Sequence, residues 1–413
     1  MLHALALAVE IVATAMAVAG MGFFFAALIA ARVYLRARRK ALAAIALAGT
    51  DAAAPGISIL KSLKGIDPGM LDAFRSHCRQ EYRGEFELLF GVASLAEPAA
   101  ETVQLLQQEF PGIPIRLIEC PLQLGANGKV STLAQVATHA RHEILLINDS
   151  DIAVGPNYLA RVAAAFTAPA GKQGERPVGM VTAIYRGRAH GSILRGGLPA
   201  QLEALGIATD FMPGVLLSRL LEGGLHYGLG STLAVRREAL QTIGGLAPLA
   251  DRLADDHELG ARIARAGYRI EICAEVVETS VPSYDWRGFI DHQLRWLRTV
   301  RDARPAGYAG LVFTYGFGWA LLNVVASGAS LLSLWLLALS FFLRLSLAMT
   351  AGAEVLHDRD VLPHLWLVPL RDAIAMGLWV AGFASHSIVW RGERFVLREG
   401  KLEKEGTPIE NRA

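Results

Sequence analysis

Ile144-Leu145-Leu146-Ile147-Asn148-Asp149-Ser150-Asp151 decides how this chain folds. Four apolar residues in a row make a buried strand, because a parallel strand covered on both faces is continuously hydrophobic. The run stops on two carboxylates at i and i+2. In open α/β sheets, ligands bind just beyond the carboxyl ends of the strands. Asp149 and Asp151 therefore offer oxygen ligands to a hard divalent cation, which could clamp a diphosphate. The same residues also suit a capped turn, with Asn or Asp leading into a helix at Pro156.

Strands alternate with helices on the N-terminal side of this stretch. Ile57–Leu60 reads as a strand, followed by Lys61-Ser62-Leu63-Lys64-Gly65 and then Asp67-Pro68, expected to open a helix as N-cap and first residue. Phe86–Val92 is a second strand, leading through Ala93-Ser94-Leu95-Ala96-Glu97-Pro98 into another helix. Ile115–Glu119 is a third strand, and Ser131–His139 a helix before the fourth strand at Ile144–Ile147. This alternation predicts an α/β domain with a parallel, doubly wound sheet and right-handed crossovers.

The chain of 413 residues is 53% hydrophobic with mean hydropathy +0.35, too apolar for an ordinary soluble enzyme. Ile11–Ala31 carries no charge, and 21 residues of helix span roughly 32 Å, enough to cross a bilayer. Arg32, Arg36, Arg38, Arg39 and Lys40 follow it. A cleaved signal peptide has its positive charge before the apolar stretch, so this reads as a retained anchor with the following domain in the cytoplasm. Leu311–Met349 is too long for one helix and is expected to form a hairpin breaking near Ala326-Ser327-Gly328. Leu362–Trp390 is interrupted by Pro369, Arg371 and Asp372, and its first half could lie in the interface. Three or four crossings fit, with Arg391, Arg394, Arg398 and Lys401 favouring a cytosolic tail. The expected organisation is an anchor and basic flank at 1–40, a cytosolic domain at 41–305, membrane helices at 306–390 and a basic tail at 391–413. A net charge of +2 argues against a nucleic-acid binder. Cys78, Cys120 and Cys273 have neither metal-type spacing nor a disulfide pattern, as for buried thiols in a reducing compartment.

Three further stretches carry chemistry. Gly125-Ala126-Asn127-Gly128-Lys129-Val130-Ser131 misses the spacing of a Walker loop, yet a lysine before a helix can hold a phosphate as a point charge. An ordinary glycine turn fits as well. Asp255 and Asp256 precede a helix running to Gly267, either as partners of its dipole or with one acting as general base toward a hydroxyl. His257 reads as a packing or capping residue. In Asp291-His292-Gln293-Leu294-Arg295-Trp296-Leu297-Arg298-Thr299-Val300-Arg301, helical spacing puts Arg295, Arg298 and Arg301 on one face beside Trp296. That suits an interfacial anchor on anionic lipid, or an arginine and indole closing over a diphosphate and acceptor.

Together these pieces resemble the ceramide glucosyltransferase family of membrane-bound family-2-type glycosyltransferases, which includes the bacterial hopanoid-biosynthesis glycosyltransferases. The likeness runs from Ile57-Ser58-Ile59-Leu60-Lys61-Ser62-Leu63-Lys64-Gly65 through Trp390-Arg391. It implies a Rossmann-like glycosyltransferase A-type domain with a mostly parallel sheet, plus N-terminal and C-terminal transmembrane helices. Asp149 and Asp151 then resemble the metal and nucleotide-sugar site, served by Mg2+ or Mn2+, and Lys129 matches a lysine in the loop ahead of it. Lys61 belongs to the opening motif and is expected on the nucleotide side. Asp256 resembles the catalytic base, with Asp255 where Glu is more usual. His292-Gln293-Leu294-Arg295-Trp296 resembles the signature ending in Arg-Trp, with His292 where Gln or Arg is usual; Arg295 and Trp296 are expected to be catalytic. Gly228 to Arg237, leading to Gly244-Gly245, resembles the acceptor-side segment. Ser94 stands where the family's first aspartate contacts the nucleobase, and Glu97 is the nearest carboxylate. Tyr185-Arg186-Gly187-Arg188 and His257-Glu258-Leu259-Gly260 look closer to the hopanoid branch.

The activity implied is an inverting transfer of glucose or N-acetylglucosamine from a UDP-sugar to a hydroxyl of a membrane lipid, a hopanoid polyol or ceramide. Phe211-Met212-Pro213-Gly214-Val215-Leu216-Leu217 would line the lipid's path or form an interfacial packing helix. The expected setting is a multi-pass protein of the inner (cytoplasmic) membrane with a cytosolic catalytic domain and no nucleic-acid partner. Two rivals remain. A processive polysaccharide synthase would share the motifs but need more crossing helices. A catalytically silent nucleotide-sugar-binding partner would fit Ser94 but has no need of Asp149, Asp151, Asp256 and Arg295 together.

Overall fold

The structure, a computed structural model, describes residues 2–47, 54–167, 176–191, 193, 197–390 and 393–404. The chain forms two compact units. A sheet unit comprises Arg38–Arg188, Glu222–Pro282 and Glu393–Ala413; a helical unit comprises Met1–Ala37, Ala189–Leu221 and Ser283–Gly392.

The sheet unit holds β1 (Ile57–Ser62), β2 (Phe86–Val92), β3 (Ile115–Glu119), β4 (Ile144–Ile147), β5 (Ile152–Ala153), β6 (Val178–Ala189), β7 (Leu233–Arg236) and β8 (Arg269–Val281). Their order is β3-β2-β1-β4-β7-β6-β8-β5. The α/β reading holds: β1 pairs in parallel with β2 and β4, and β2 with β3. Beyond β4 the sheet continues with antiparallel pairings, β4 with β7, β7 with β6, and β5 with β8. The changeover at β4 puts the carboxyl end of a parallel strand beside the loop that enters β7.

Both faces of the parallel half are covered, as its apolar runs require. Ile57, Ile59, Leu88, Phe90, Ile144 and Leu146 share one core with Phe74, Val103 and Leu106. Leu60, Leu89, Leu145 and Ile147 alternate with them to the opposite face and are equally buried. Truncating one such leucine to alanine costs about 2–5 kcal/mol.

Three helix starts differ from expectation. Asp67 does not cap a helix: Gly69 is the cap, in the left-handed region at φ 73°, and the helix runs Met70–Cys78. The helix expected from Ser131 begins at Gly128, with the Asn127 side chain accepting from Val130 N–H at 3.2 Å, so Lys129 lies in its first turn. The helix after β5 is Tyr158–Thr167, and the Asn148 side chain is buried away from any capping role.

The helical unit begins within the helix Leu2–Leu47. Among the described residues, Ala6–Leu47, Leu198–Leu221, Leu331–Val355 and Arg359–Ala381 are each long and apolar enough to cross a membrane. The pair Pro305–Thr314 and Gly316–Ala326, bent by 56°, passes the same test together. The break expected near Ala326 is present, the next helix starting at Leu331. Leu198–Leu221 exceeds the expectation for that region, and it contains a π-helical turn at Ile207–Phe211. Gly20 and Gly316 meet backbone to backbone, since a Cβ on Gly20 would sit 2.2 Å from Gly316 Cα.

Cys78, Cys120 and Cys273 are free and buried, as expected. The basic tail is not simply a solvated run: Glu393–Arg398 and Lys401–Lys404 form an antiparallel hairpin in the sheet unit. Arg391 and residues 405–413 lie outside the described residues.

Candidate active site

The loop after β4 is held from beneath by buried polar groups. Lys61, fully enclosed near the end of β1, donates from Nζ to the Asp149 carbonyl at 2.9 Å. Burial pushes its ammonium down to about 7, against the pull of Asp151 and Asp149. Asn148 donates to Ser231 O at 2.6 Å and to Tyr158 Oη at 3.0 Å, while its Oδ1 faces His77 Nε2 at 3.2 Å. Burial, then the neighbouring Lys61, pushes His77 down to about 3, so the imidazole is neutral. The His77 Nδ1 faces the Ala73 carbonyl at 2.9 Å as well, so the neutral ring donates to one of these two oxygens, and the buried contacts of Asn148 hold the loop. Ser150 Oγ donates to Asp67, and Thr279 Oγ1 to Asp151. Burial and the charge of Asp149 push Asp151 up to about 6.

Lys129 joins this loop to the second carboxylate pair. Its Nζ lies 2.7 Å from Asp149 Oδ1 and 3.4 Å from Asp255 Oδ2. Burial opposes its charge, but Asp149, Asp255 and Asp256 outweigh that and hold the ammonium above its ordinary range. Asp255 and Asp256 open the helix Asp255–Arg265, where the N-terminal dipole favours carboxylates. Burial nevertheless raises both, Asp255 to about 6, with Lys129 pulling the other way. Gly230, in the loop before β7, leaves the space between motifs open: a Cβ there would sit 3.1 Å from Asp256 Oδ2 and 3.7 Å from Asp149 Oδ2. His257 donates its N–H to Asp256 Oδ1 at 2.7 Å and stacks on Tyr227. It is a packing residue, as its sequence position indicates.

A strut at Ala250–Arg252 steadies the turn that carries Lys129. Asn127 N–H donates to Ala250 O at 2.6 Å, Asn127 Nδ2 to Arg252 O at 2.7 Å, and Ala126 N–H to Asp251 Oδ1 at 2.9 Å. The C-terminal hairpin grips the far side, through Leu402 N–H to Asp251 O at 2.8 Å and Arg252 to the Glu399 carbonyl at 2.5 Å.

Ser94 is exposed after β2, its Oγ accepting from Ala96 N–H at 3.3 Å. Glu97 accepts from Gly65 N–H at 3.3 Å, tying the loop after β2 to the loop after β1. The sheet unit thus brings together Lys61 at the end of β1, Asp149 and Asp151 in the loop after β4, and Lys129, Asp255 and Asp256 in the first turns of two helices, while Ser94 and Glu97 lie in the loop after β2.

His292, Gln293, Arg295 and Trp296 belong to the helical unit, on the helix Trp286–Ala303. Its N-cap Asp285 accepts from Gly288 N–H at 2.7 Å. The His292 and Trp296 rings lie 4.7 Å apart, and Gln293 is buried. Arg298 donates to the Ser387 carbonyl at 2.6 Å and Arg301 to the Ser385 carbonyl at 2.8 Å, so two arginines of this face hold protein carbonyls. In the sequence Asp67 stands out only as a helix cap and Arg371 only as a break in an apolar stretch, and Glu203, Asp251 and Thr279 were not singled out. Of these only Glu203 and Arg371 carried a signal, a charge inside an apolar stretch.

Among the described residues, no group of three or more His, Cys, Asp or Glu side chains is placed to hold a metal ion. Asp149 and Asp151 supply two carboxylates. That donor set fits Mg2+ or Mn2+ completed by diphosphate and water oxygens, since small hard cations bind through one or two carboxylates plus substrate phosphates.

The model of glycosyl transferase family 21 matches residues 14–403. Ceramide glucosyltransferase 1 of Caenorhabditis elegans is 22% identical over 360 residues, covering 85% of this chain and 73% of that protein. Ceramide glucosyltransferase 3 of the same organism is 23% identical over 248 residues, covering 60% of this chain; the match spans 51% of that relative's length. Among solved structures, the mannosyltransferase PcManGT from Pyrobaculum calidifontis, in complex with GDP-Man and Mn2+, is 17% identical with a TM-score of 0.44, covering 89% of this chain and 98% of that one.

Proposed function

The chain belongs to glycosyl transferase family 21, and from that premise we propose that it moves a hexose, glucose or N-acetylglucosamine, from a UDP-sugar to a lipid hydroxyl with inversion. The lipid is a membrane polyol of the hopanoid kind or a ceramide. The observation that carries this reading is the convergence of Asp149, Lys129, Asp255 and Asp256 across the gap left by Gly230.

In this reading Asp256 accepts the proton of the acceptor hydroxyl as its oxygen attacks the anomeric carbon. The bond from that carbon to the diphosphate breaks, and UDP leaves with the electron pair. A carboxylate raised by burial suits a general base better than one of ordinary acidity. Asp149 and Asp151 would hold Mg2+ or Mn2+, which supplies Lewis-acid stabilisation of the charge growing on the leaving diphosphate. Lys129 adds a fixed positive charge at the same place. Lys61, His77 and Asn148 keep the Asp149 loop in position, and Ser94 and Glu97 serve the nucleoside side. Arg295 and Trp296 keep the roles the resemblance gives them, at the diphosphate and on the acceptor side. The catalytic unit faces the cytosol from a multi-pass inner-membrane protein.

The test incubates membranes carrying the protein with labelled UDP-glucose or UDP-N-acetylglucosamine and identifies labelled lipids by mass spectrometry. A labelled neutral lipid that disappears in Asp256→Asn membranes is the expected result. A labelled polymer, or no labelled lipid with either donor, would overturn it.

A further inference from the structure

The helical unit buries charges that the transfer chemistry above does not use. Glu203 lies in the helix Leu198–Gly206 and is 3% exposed. Its Oε2 stands 3.0 Å from His292 Nδ1 and accepts from Gln293 Nε2 at 3.4 Å. One carboxylate oxygen therefore holds two consecutive side chains of the His292–Trp296 segment. The other end of the Gln293 amide is held too, with Arg371 Nη2 donating to Gln293 Oε1 at 3.2 Å. Glycine at 206 leaves the guanidinium its present place: a Cβ there would lie 2.4 Å from Arg371 Nε. Arg371 also pairs with Asp210 of the π-helical turn at 3.4 Å, and Asp210 pairs with Arg344. Arg344 is in turn held by Asp372 at 2.7 Å. Charges in an apolar helical unit persist only when paired, and such pairs mark functional positions.

We propose that Glu203 is a positioning residue for the transfer reaction, fixing the orientation of His292 and Gln293. A carboxylate at Nδ1 makes the imidazole donate from that nitrogen, which leaves Nε2 as the acceptor in the neutral ring. Glu203 thereby sets both the tautomer of His292 and, with Arg371, the direction of the Gln293 amide. This rests on the reading that the His292–Trp296 segment serves transfer. It adds the residue that aims the segment.

The test compares Glu203→Gln, Glu203→Ala, Arg295→Ala, the double variant His292→Ala with Gln293→Ala, and the triple variant that adds Glu203→Ala. Purified full-length protein is assayed for transfer kinetics, for UDP affinity by calorimetry and for melting temperature. Glu203→Gln nearly preserves volume but can donate to His292 Nδ1 and reverse its tautomer. The expected result is a fall in kcat of about ten- to hundredfold, the scale of a small misplacement of reacting groups. UDP affinity and melting temperature stay at wild-type values, and the nitrogen-15 shifts of His292 report the changed tautomer. Because Glu203 acts through His292 and Gln293, the triple variant falls no further than the double one, the mark of coupled residues. Wild-type kcat in Glu203→Gln and Glu203→Ala overturns the proposal, as does an activity loss that only follows a lowered melting temperature or adds independently in the triple variant. Full activity in Arg295→Ala overturns the underlying reading as well. An inactive Arg295→Ala beside a fully active Glu203→Ala overturns the positioning role alone.

Discussion

The two units bury charge in opposite ways. In the helical unit, Arg344 and Arg371 are interleaved with Asp210 and Asp372, and the Arg344 guanidinium spends Nε, Nη1 and Nη2 on protein oxygens. In the sheet unit, Lys129 alone reaches across to Asp149 and Asp255, with the raised Asp256 and Asp151 nearby. The first arrangement engages every Arg344 nitrogen but leaves Arg371 Nε and Nη1 and Asp210 Oδ2 buried without a hydrogen-bond partner. The second sets the carboxylates of Asp149, Asp151, Asp255 and Asp256 against the ammonium groups of Lys129 and Lys61.

The comparison can be broken most sharply at Asp256. Asp256→Asn should lower transfer by about 10²–10⁴-fold, the usual contribution of a positioned acid or base, while calorimetry finds UDP-sugar binding intact. Comparable turnover would remove the base. The matching cut in the helical unit is Arg344→Met, which strands the buried Asp372 carboxylate and leaves the half-buried Asp210 to Arg371 alone. It should cost about 3–5 kcal/mol in stability, read from thermal unfolding in detergent, whereas Lys129→Met should lower activity with far less effect on unfolding. A smaller effect is expected in Asp149→Ala, where UDP-sugar affinity should no longer depend on Mn2+. Equal dependence in wild type and variant would take the cation away from that loop. Smallest is a shift in pH dependence. Burial raises the Asp255–Asp256 pair, Asp255 to about 6, and the base works only when deprotonated. Activity should therefore fall as pH drops at a point above the ordinary carboxylate range rather than near 4, with the pair titrating as a unit. Asp255→Asn removes a like charge and should move that acidic limb to lower pH.

How much of this was legible depends on where each group finds its partner. Ile144–Ile147 and the strands before it declare themselves, because continuous apolar runs need no distant partner to be read as buried. Asp149, Asp151 and Asp256 stand out for the same reason, as carboxylates where elements end. β6 and β8 carry Arg186, Arg188, Glu275 and Glu278 and have no such signature. Arg186 and Arg188 meet Glu278 across strands at 3.0 and 3.1 Å, and Glu275 meets Arg161 of the helix Tyr158–Thr167. Leu198–Leu221 hid its spanning length behind Glu203, Asp210 and Arg219. Two of those charges are met by Gln293, Arg344 and Arg371, which lie 90 to 161 residues on in the chain. Asp67 looked like a cap because Pro68 follows it, but the turn at Gly69 leaves its carboxylate for Ser150.

The C-terminal hairpin has a consequence for synthesis on the ribosome. β1 to β4 and their helices can assemble early, since their contacts are local in sequence and N-terminal parts fold first as a chain emerges. The strut that steadies the Lys129 turn, however, is gripped from outside by Glu399 and Leu402, and Arg252 is 147 residues from its partner Glu399. Between them the whole of Ser283–Gly392 must be made. That support of the site therefore arrives only after Ser283–Gly392 has been made, so a nascent chain that has not reached Leu402 holds its carboxylates without the brace that aligns them.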